Sequence, residues 1–347
     1  MKINILITAY NQEKYIEQCV RSALRQDYGE LSVIVSDNCS TDRTPDLLKP
    51  FMSDKRFVYS RTPENIGMNR NFRRMLYDLA DGEYALFLPG DDYLIDPTFI
   101  REAAALIRKN PGLPMVFADY QALYEKDNSF VSNRSDAAGT GIIPGKELFL
   151  NQEKKYRPIL NAVVFNVGTA RRIRFMQPEF VFVGSDVAFC LMMALQGNAG
   201  YIRSEVVVWR RQVQSISIMF SPDETLEGFA AFEMPFSHAR QLRTFPADLL
   251  DRWREERLKK VIKSQWMRYC LLDLKMAVEF KEKVETYDAR LYALLKKDPA
   301  ATAIYYLARF KVYWLIRFIM KFVFRNEFLY IHYRNLRKDR AKRLKAG

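Results

Sequence analysis

Only two histidines, His238 and His332, occur in 347 residues, so a His-rich zinc site is excluded. The four cysteines, Cys19, Cys39, Cys190 and Cys270, show no CxxC spacing and read as reduced thiols of a cytosolic protein. No GxGxxG follows the first apolar run and no GxxxxGKS/T occurs anywhere. Dinucleotide-oxidoreductase and P-loop readings therefore lose their main support. No uncharged apolar run approaches the ~18 residues of a spanning helix. Met1-Lys2-Ile3-Asn4-Ile5 enters a strand at once, and no signal peptide is expected.

What is present is an ordinary globular composition, 49% hydrophobic and 27% charged, enough for one large domain or two smaller ones. The charge is less ordinary. The formal net charge is +13, and residues 301–347 hold twelve Lys and Arg against Glu327 and Asp339. The excess is thus concentrated at one end, which points to a local anionic partner.

Ile3–Thr8 reads as a first strand and Glu13–Arg25 as a helix with Ile16, Val20, Ala23 and Leu24 on one face. Leu31–Ser36 and Arg56–Ser60 read as strands. Pro45 starts a short helix through Lys49, and Asn69–Leu79 forms another. Tyr84–Leu88 is a short buried strand stopped by Pro89-Gly90, with Asp91 and Asp92 just past its end. This β-α-β-α order predicts a parallel sheet with helices on both faces. In such sheets ligands bind outside the carboxyl ends of the strands. Tyr10-Asn11, Asp37 and Asp91-Asp92 would all project from that edge. Two adjacent carboxylates repel unless a positive group lies near, and a divalent ion holding a diphosphate satisfies them. Taken singly, Asn11 and Thr41 also suit helix caps, Asp37 a turn, and Asp91-Asp92 a solvated turn.

Thr8-Ala9-Tyr10-Asn11, then Val35 to Asp42 (VSDNCSTD), then Asn65-Ile66-Gly67 with Asn71, then Leu88 to Asp92 (LPGDD) resemble the ordered motifs of family 2 glycosyltransferases. The resemblance covers roughly the first 215 residues. It implies a GT-A fold, a Rossmann-like mixed sheet flanked by helices, with inverting hexosyl transfer from a nucleotide-sugar, UDP-linked by preference, and one Mg²⁺ or Mn²⁺. By it, Thr8, Tyr10, Asn11, Asn65, Gly67 and Asn71 line the donor site. Asp37 contacts the base, Asp91 the ribose side, and Asp92 the metal. Three departures stand out: Pro89 replaces a common carboxylate, an acidic pair is reduced to Ser185-Asp186, and Trp209-Arg210-Arg211-Gln212 stands where some members carry a histidine ligand. Arg210 or Arg211 then takes over part of the diphosphate charge.

Pro97–Arg108 reads as a helix, and Met115–Tyr124, Asn161–Val167 and Tyr201–Arg211 as strands. Asn128–Gly145 is polar and is expected to be a mobile loop near the acceptor. Ser185 suits an N-cap for the helix Val187–Leu195, with Asp186 in its first turn. Asp186 there either complements the helix dipole or, by the resemblance, is the catalytic base. Ser215-Ile216-Ser217 resembles the polar tail of the last strand. Residues 1–220 are expected to form the catalytic domain and 221–347 a helical, basic region, with helices at Leu249–Lys263, Gln265–Phe280 and Val284–Leu295. In Ala303–Tyr333, Arg317, Lys321 and Arg325 recur every four residues beside a dense aromatic face, the pattern of a helix lying in a membrane interface or of one packed on the protein with its basic face in water.

The expected function is transfer of a sugar to a saccharide or polyprenyl-linked saccharide at an anionic membrane surface. The place is peripheral, on the cytosolic face of the inner (plasma) membrane, in surface-polysaccharide assembly, without nucleic acid as a partner. A metal-dependent nucleotidyltransferase and a non-catalytic basic nucleic-acid-binding protein remain open alternatives at this point.

Overall fold

The structure, a computed structural model, describes residues 1–212 and 220–309. Two compact units divide it: Met1–Ile218 with Ser237–Thr244, and Met219–Phe236 with Phe245 onward.

The first unit is built on one ten-stranded mixed sheet. Its elements are β1 (Ile3–Ala9), α1 (Ile16–Leu24), β2 (Leu31–Asp37), α2 (Thr44–Leu48), β3 (Phe57–Arg61), α3 (Met68–Arg74), β4 (Tyr84–Pro89), β5 (Tyr93–Leu94), α4 (Phe99–Lys109), β6 (Met115–Tyr124), β7 (Ser129–Asn133), β8 (Gly141–Ile143), α5 (Gly145–Asn151), β9 (Val163–Asn166), α6 (Val167–Arg172), α7 (Ser185–Ala194) and β10 (Ala199–Arg211). The main path runs β3-β2-β1-β4-β9-β6-β10-β5. The first four strands are parallel as expected, whereas β9 runs antiparallel to both β4 and β6. The sheet is thus the mixed GT-A type.

Both faces of the central strands are covered, which explains why they are apolar at almost every position rather than alternately. Ile3, Ile5 and Ile7 of β1 pack with Ile16, Cys19 and Val20 of α1 and Phe99 and Ala103 of α4. A mainly aromatic layer fills the other face: Phe87 stacks on Phe165 at 5.3 Å, Phe165 meets Phe189 of α7 edge-on at 5.2 Å, and Phe175 stacks on Phe189 at 4.1 Å.

The segment expected to be a mobile loop, Asn128–Gly145, is instead tied to the sheet. β7 forms a hairpin with β6, and β8 pairs with the start of β10. Buried Asp119 accepts hydrogen bonds from Ser135 N at 2.8 Å and Tyr201 Oη at 2.8 Å, and Arg134 pairs with Glu205. Ser132, Arg134 and Ser135, among the polar residues that suggested a loop, are satisfied by the buried Asp119 and half-buried Glu205 on the neighbouring strands. Tertiary partners of this kind are invisible to local polarity.

The second unit is helical: α8 (Pro222–Glu227), α9 (Ala230–Gln241, shared with the first unit), α10 (Ala247–Leu272), α11 (Leu274–Tyr287), α12 (Ala289–Lys296) and α13 (Pro299–Arg309). Leu258, Ile262, Trp266, Tyr269, Phe280 and Val284 form its interior. The helix breaks differ from those expected near 264 and 281–283. α10 runs unbroken for 26 residues. The chain turns at Asp273 and Asp288, whose carboxylates accept from the backbone N–H of Lys275 and of Arg290 and Leu291. Short polar side chains that cap the next helix set these boundaries. The expected basic amphipathic helix from Arg317 to Arg325, the tail beyond it, and Ser215-Ile216-Ser217 lie outside the described residues.

One buried amide anchors the amino end of the sheet. Asn4, fully buried, accepts from Asp81 N at 3.0 Å and Gly82 N at 2.6 Å and donates to Asp81 at 3.0 Å. Asn4→Ala leaves these groups without their partner and is expected to cost about 1–3 kcal/mol, read as a lower urea midpoint.

Candidate active site

The carboxyl ends of β1, β2, β3 and β4 are stitched to one another by side chains. Asn11, at φ +52°, accepts from Thr41 N at 2.8 Å and donates its own N–H to Ser40 Oγ at 3.0 Å. It therefore joins the β1 and β2 loops and caps no helix. Asp37 is fully buried: Oδ1 accepts from Ser40 N (2.9 Å) and Ser40 Oγ (2.5 Å), and Oδ2 from Tyr59 Oη (2.7 Å), with Arg61 at 3.5 Å. Asn71, also buried, exchanges two hydrogen bonds with Ser36. Asn65 accepts from Asn38 Nδ2 and from Gly67 N, and Gly67 at φ +84° opens α3. Thr8 is half-buried, while Tyr10, Asn11, Asn65 and Gly67 are exposed. Of the expected donor residues, Asp37 and Asn71 thus brace the crevice from inside, and the others stand at its surface.

Gly90 lets the acidic turn approach this edge. Its N–H donates to Thr8 O at 2.9 Å, and a Cβ there would lie 2.6 Å from that same oxygen. Asp91 and Asp92 then bridge β4 to β5, which pairs with β10 through Leu94 and Val207. Asp92 is 2% exposed, accepting from Arg210 N at 2.8 Å and Asn161 Nδ2 at 2.7 Å. Half-buried Asp91 accepts from Gln212 Nε2 at 3.0 Å. Burial raises both carboxyl pKa values, and the charge of Asp91 pushes Asp92 up further.

Arg210 and Arg211 are successive residues of one strand and point to opposite faces of the sheet. Arg210 lies between the rings of Tyr15 and Tyr93, 4.9 Å from each centroid, reaching Gln18 and, at 3.7 Å, Glu125. Arg211 instead lies 4.2 Å from the centre of the Trp209 ring and 6.0 Å from that of Tyr124. The structure thus places Arg210 with the carboxylate pair and Arg211 away from it. Neither is a freely solvated arginine, since both are half-buried.

Asp186 stands in the first turn of α7, as expected, but the cap is Gly184 in the left-handed conformation (φ +84°), not Ser185. A left-handed cap is open to glycine at no steric cost. Asp186 is exposed, and the protein atoms crowded around its carboxyl raise its pKa by desolvation. Its charge acts on Tyr120, as do those of Arg157 and Arg211.

A sheet of this topology with an acidic turn at its carboxyl edge is the framework of a GT-A glycosyltransferase. Residues 4–176 match the glycosyl transferase family 2 model, and the chain belongs to that family. It is 34% identical over 109 residues to the poly(ribitol-phosphate) beta-N-acetylglucosaminyltransferase TarS of Staphylococcus aureus, a match spanning 31% of this chain and 19% of TarS. It is 26% identical over 149 residues to the GalNAc(5)-diNAcBac-PP-undecaprenol beta-1,3-glucosyltransferase of Campylobacter jejuni, spanning 42% and 45%. The chain therefore covers less than half the length of these relatives. The crystal structure of S. aureus TarS 1–349 with UDP-GlcNAc superposes with a TM-score of 0.66 at 16% identity, over 99% of this chain and 92% of that one, a likeness of fold.

The residues missed from sequence are Asn161, Gln18, Glu125, Tyr15 and Tyr93, Tyr15 and Gln18 from the start of α1 and the others each from a different segment. Gln212 carried a signal, since it lies in the segment where a histidine ligand was looked for. Among the described residues no group of three His, Cys, Asp or Glu gathers. Two carboxylates still fit one hard divalent ion, because Mg²⁺ keeps waters and phosphate oxygens for its other positions. Each Asp92 oxygen spends one lone pair on an N–H and retains the other.

A raised folded-state carboxyl pKa means that the native protein binds more protons than the unfolded chain. Stability then falls as pH rises from the ordinary carboxylate range through the folded value. Asp92→Asn is therefore expected to raise the thermal midpoint in metal-free buffer at pH 7. The gain should shrink toward pH 4, which melting curves across that range will show.

Proposed function

We propose that this protein is an inverting glycosyltransferase that moves a sugar from a nucleotide diphosphate, UDP by preference, to a saccharide hydroxyl. The observation that supports this most directly is the Asp91–Asp92 turn at the joined ends of β1, β2 and β4, with Arg210 and Gln212 packed against it. The TarS structures with UDP and UDP-GlcNAc support the choice of donor.

In this reading Tyr10, Asn11, Asn65 and Gly67 line the nucleoside side, with Asp37 and Asn71 holding their loops in place. Asp92 would hold the divalent ion and Asp91 the ribose side of the donor. When bound, that ion offsets the charge developing on the leaving diphosphate. Arg210 contributes a fixed positive charge beside the pair. Asp186 takes the proton of the acceptor hydroxyl as that oxygen attacks the anomeric carbon from the face opposite the leaving group. A raised pKa suits it to this task, because a base works best with a pKa near the operating pH. The rest of the acceleration comes from holding the two substrates in line.

The acceptor is a saccharide or polyprenyl-linked saccharide at the cytosolic face of the plasma membrane. The basic, aromatic stretch from Ala303 to Gly347 supports that location, since each Lys or Arg near an anionic surface adds roughly 1 kcal/mol. No described helix is long and apolar enough to cross a bilayer.

Asp186→Asn is expected to lower turnover roughly 10²–10⁴-fold while leaving UDP affinity by calorimetry nearly unchanged. Release of free nucleoside diphosphate, rather than pyrophosphate, separates glycosyl from nucleotidyl transfer. Full-length protein is expected to float with anionic liposomes at low salt and to be partly released at high salt. Flotation that ignores lipid charge removes the membrane assignment.

A further inference from the structure

Arg211 faces away from the acidic turn. Its guanidinium lies over Trp209, whose ring meets Tyr120 edge-on at 6.2 Å, and it stands directly across from Tyr124 in the β10–β6 register. The same sheet rows extend into the β7 hairpin. Trp209 is opposite Ala122, which is opposite Val131, and Arg211 is opposite Tyr124, which is opposite Ser129. Val131 is 45% exposed. Trp209, Tyr124 and Val131 therefore share one face, with Arg211 set among them.

Tyr120, whose ring meets Trp209, links this face to Asp186 through their electrostatic influence on it. The charged groups acting on Tyr120 are Arg157, Arg211 and Asp186. Arg157 is exposed, and its backbone N–H is fixed on Ser135 Oγ at 3.1 Å. The charge of Glu153 acts on Asp186 and, with it, supplies the opposing sign. An aromatic wall binds the apolar face of a sugar ring. Two guanidiniums beside a carboxylate bind an anionic substituent while the carboxylate meets a hydroxyl.

We propose that the face carrying Trp209, Tyr124 and Arg211, together with Arg157, is an acceptor subsite for a saccharide bearing a carboxylate or phosphate, which orients one of its hydroxyls toward Asp186. The assignment rests on the glycosyl-transfer reading and names the substrate class it acts on. Arg210 and Arg211 thus serve different substrates, the first the donor and the second the acceptor.

The test titrates glucose, glucuronic acid and glucose 6-phosphate into UDP-saturated full-length protein and follows binding by ligand-detected NMR. One or both charged sugars should bind about tenfold more tightly than glucose, the effect of one charge-assisted contact. Comparison of the two distinguishes a carboxylate from a phosphate substituent. The preference should disappear in Arg211→Gln and in Arg157→Gln, the second being an exposed position where folding is not at issue. UDP affinity, titrated separately, should be unchanged in both variants. Equal binding of all three sugars by the wild type overturns the proposal, as does a loss of UDP affinity in Arg211→Gln, which returns that residue to the donor side. Absence of UDP binding by the wild type counts against the donor reading instead, while sugar selectivity, read also without UDP, reports on this subsite alone.

Discussion

A carboxylate at 2% exposure has to be held by donors, and Asp92 is held by the Arg210 N–H and the Asn161 amide. These partners lie 118 and 69 positions away along the chain. An unpartnered charge at that depth would be strongly destabilising. The positions of β4, β10 and the turn before β9 are therefore coupled through one side chain. The antiparallel insertion of β9 and the pairing of β5 with β10 follow the same requirement, since both bring donors to the acidic turn. The residual cost is visible in the raised pKa values of Asp91 and Asp92: burial raises both, and the charge of Asp91 raises Asp92 further. That cost is what makes the site receptive to positive charge.

Arg210 meets part of that demand from within the protein. Its backbone binds Asp92 while its guanidinium is clamped between Tyr15 and Tyr93, so a main-chain and a side-chain contact place the same residue. Tyr15 in turn donates to Glu125 at 3.2 Å. The segment that begins α1, the end of β6 and the end of β10 thereby share one network. Arg211, one position on, takes no part in it because strand geometry turns it to the other face. A two-residue basic motif is thus divided between two environments by the pleat of the sheet.

Strands, helices and the acidic turn of the first hundred residues were legible because each is a local matter. A buried parallel strand is an apolar run, and Pro89-Gly90 stops one wherever it occurs. The 128–145 stretch was misread because Ser132, Arg134 and Ser135 within it are satisfied by Asp119 and Glu205 on neighbouring strands. The helix boundaries of the second unit were misplaced because Asp273 and Asp288 act as caps only once the chain bends there. Asp37 and Asn71 were recognisable as members of a motif. Their burial, and hence their bracing role, depends on which strands lie beside them.

By itself, the sequence determined the order of strands and helices up to Lys109 apart from the short β5, the absence of dinucleotide and P-loop fingerprints, and the place of Asp91, Asp92 and Asp186 along the chain. These follow from hydrophobic period, turn residues and motif spacing, all of which act within a few positions. The tertiary structure alone decided that β9 runs against its neighbours, that Asn161, Gln212 and Glu125 belong to the crevice, and that Arg210 and Arg211 separate. Each of these depends on strand pairing between distant segments, where a register shift of one residue exchanges the two faces.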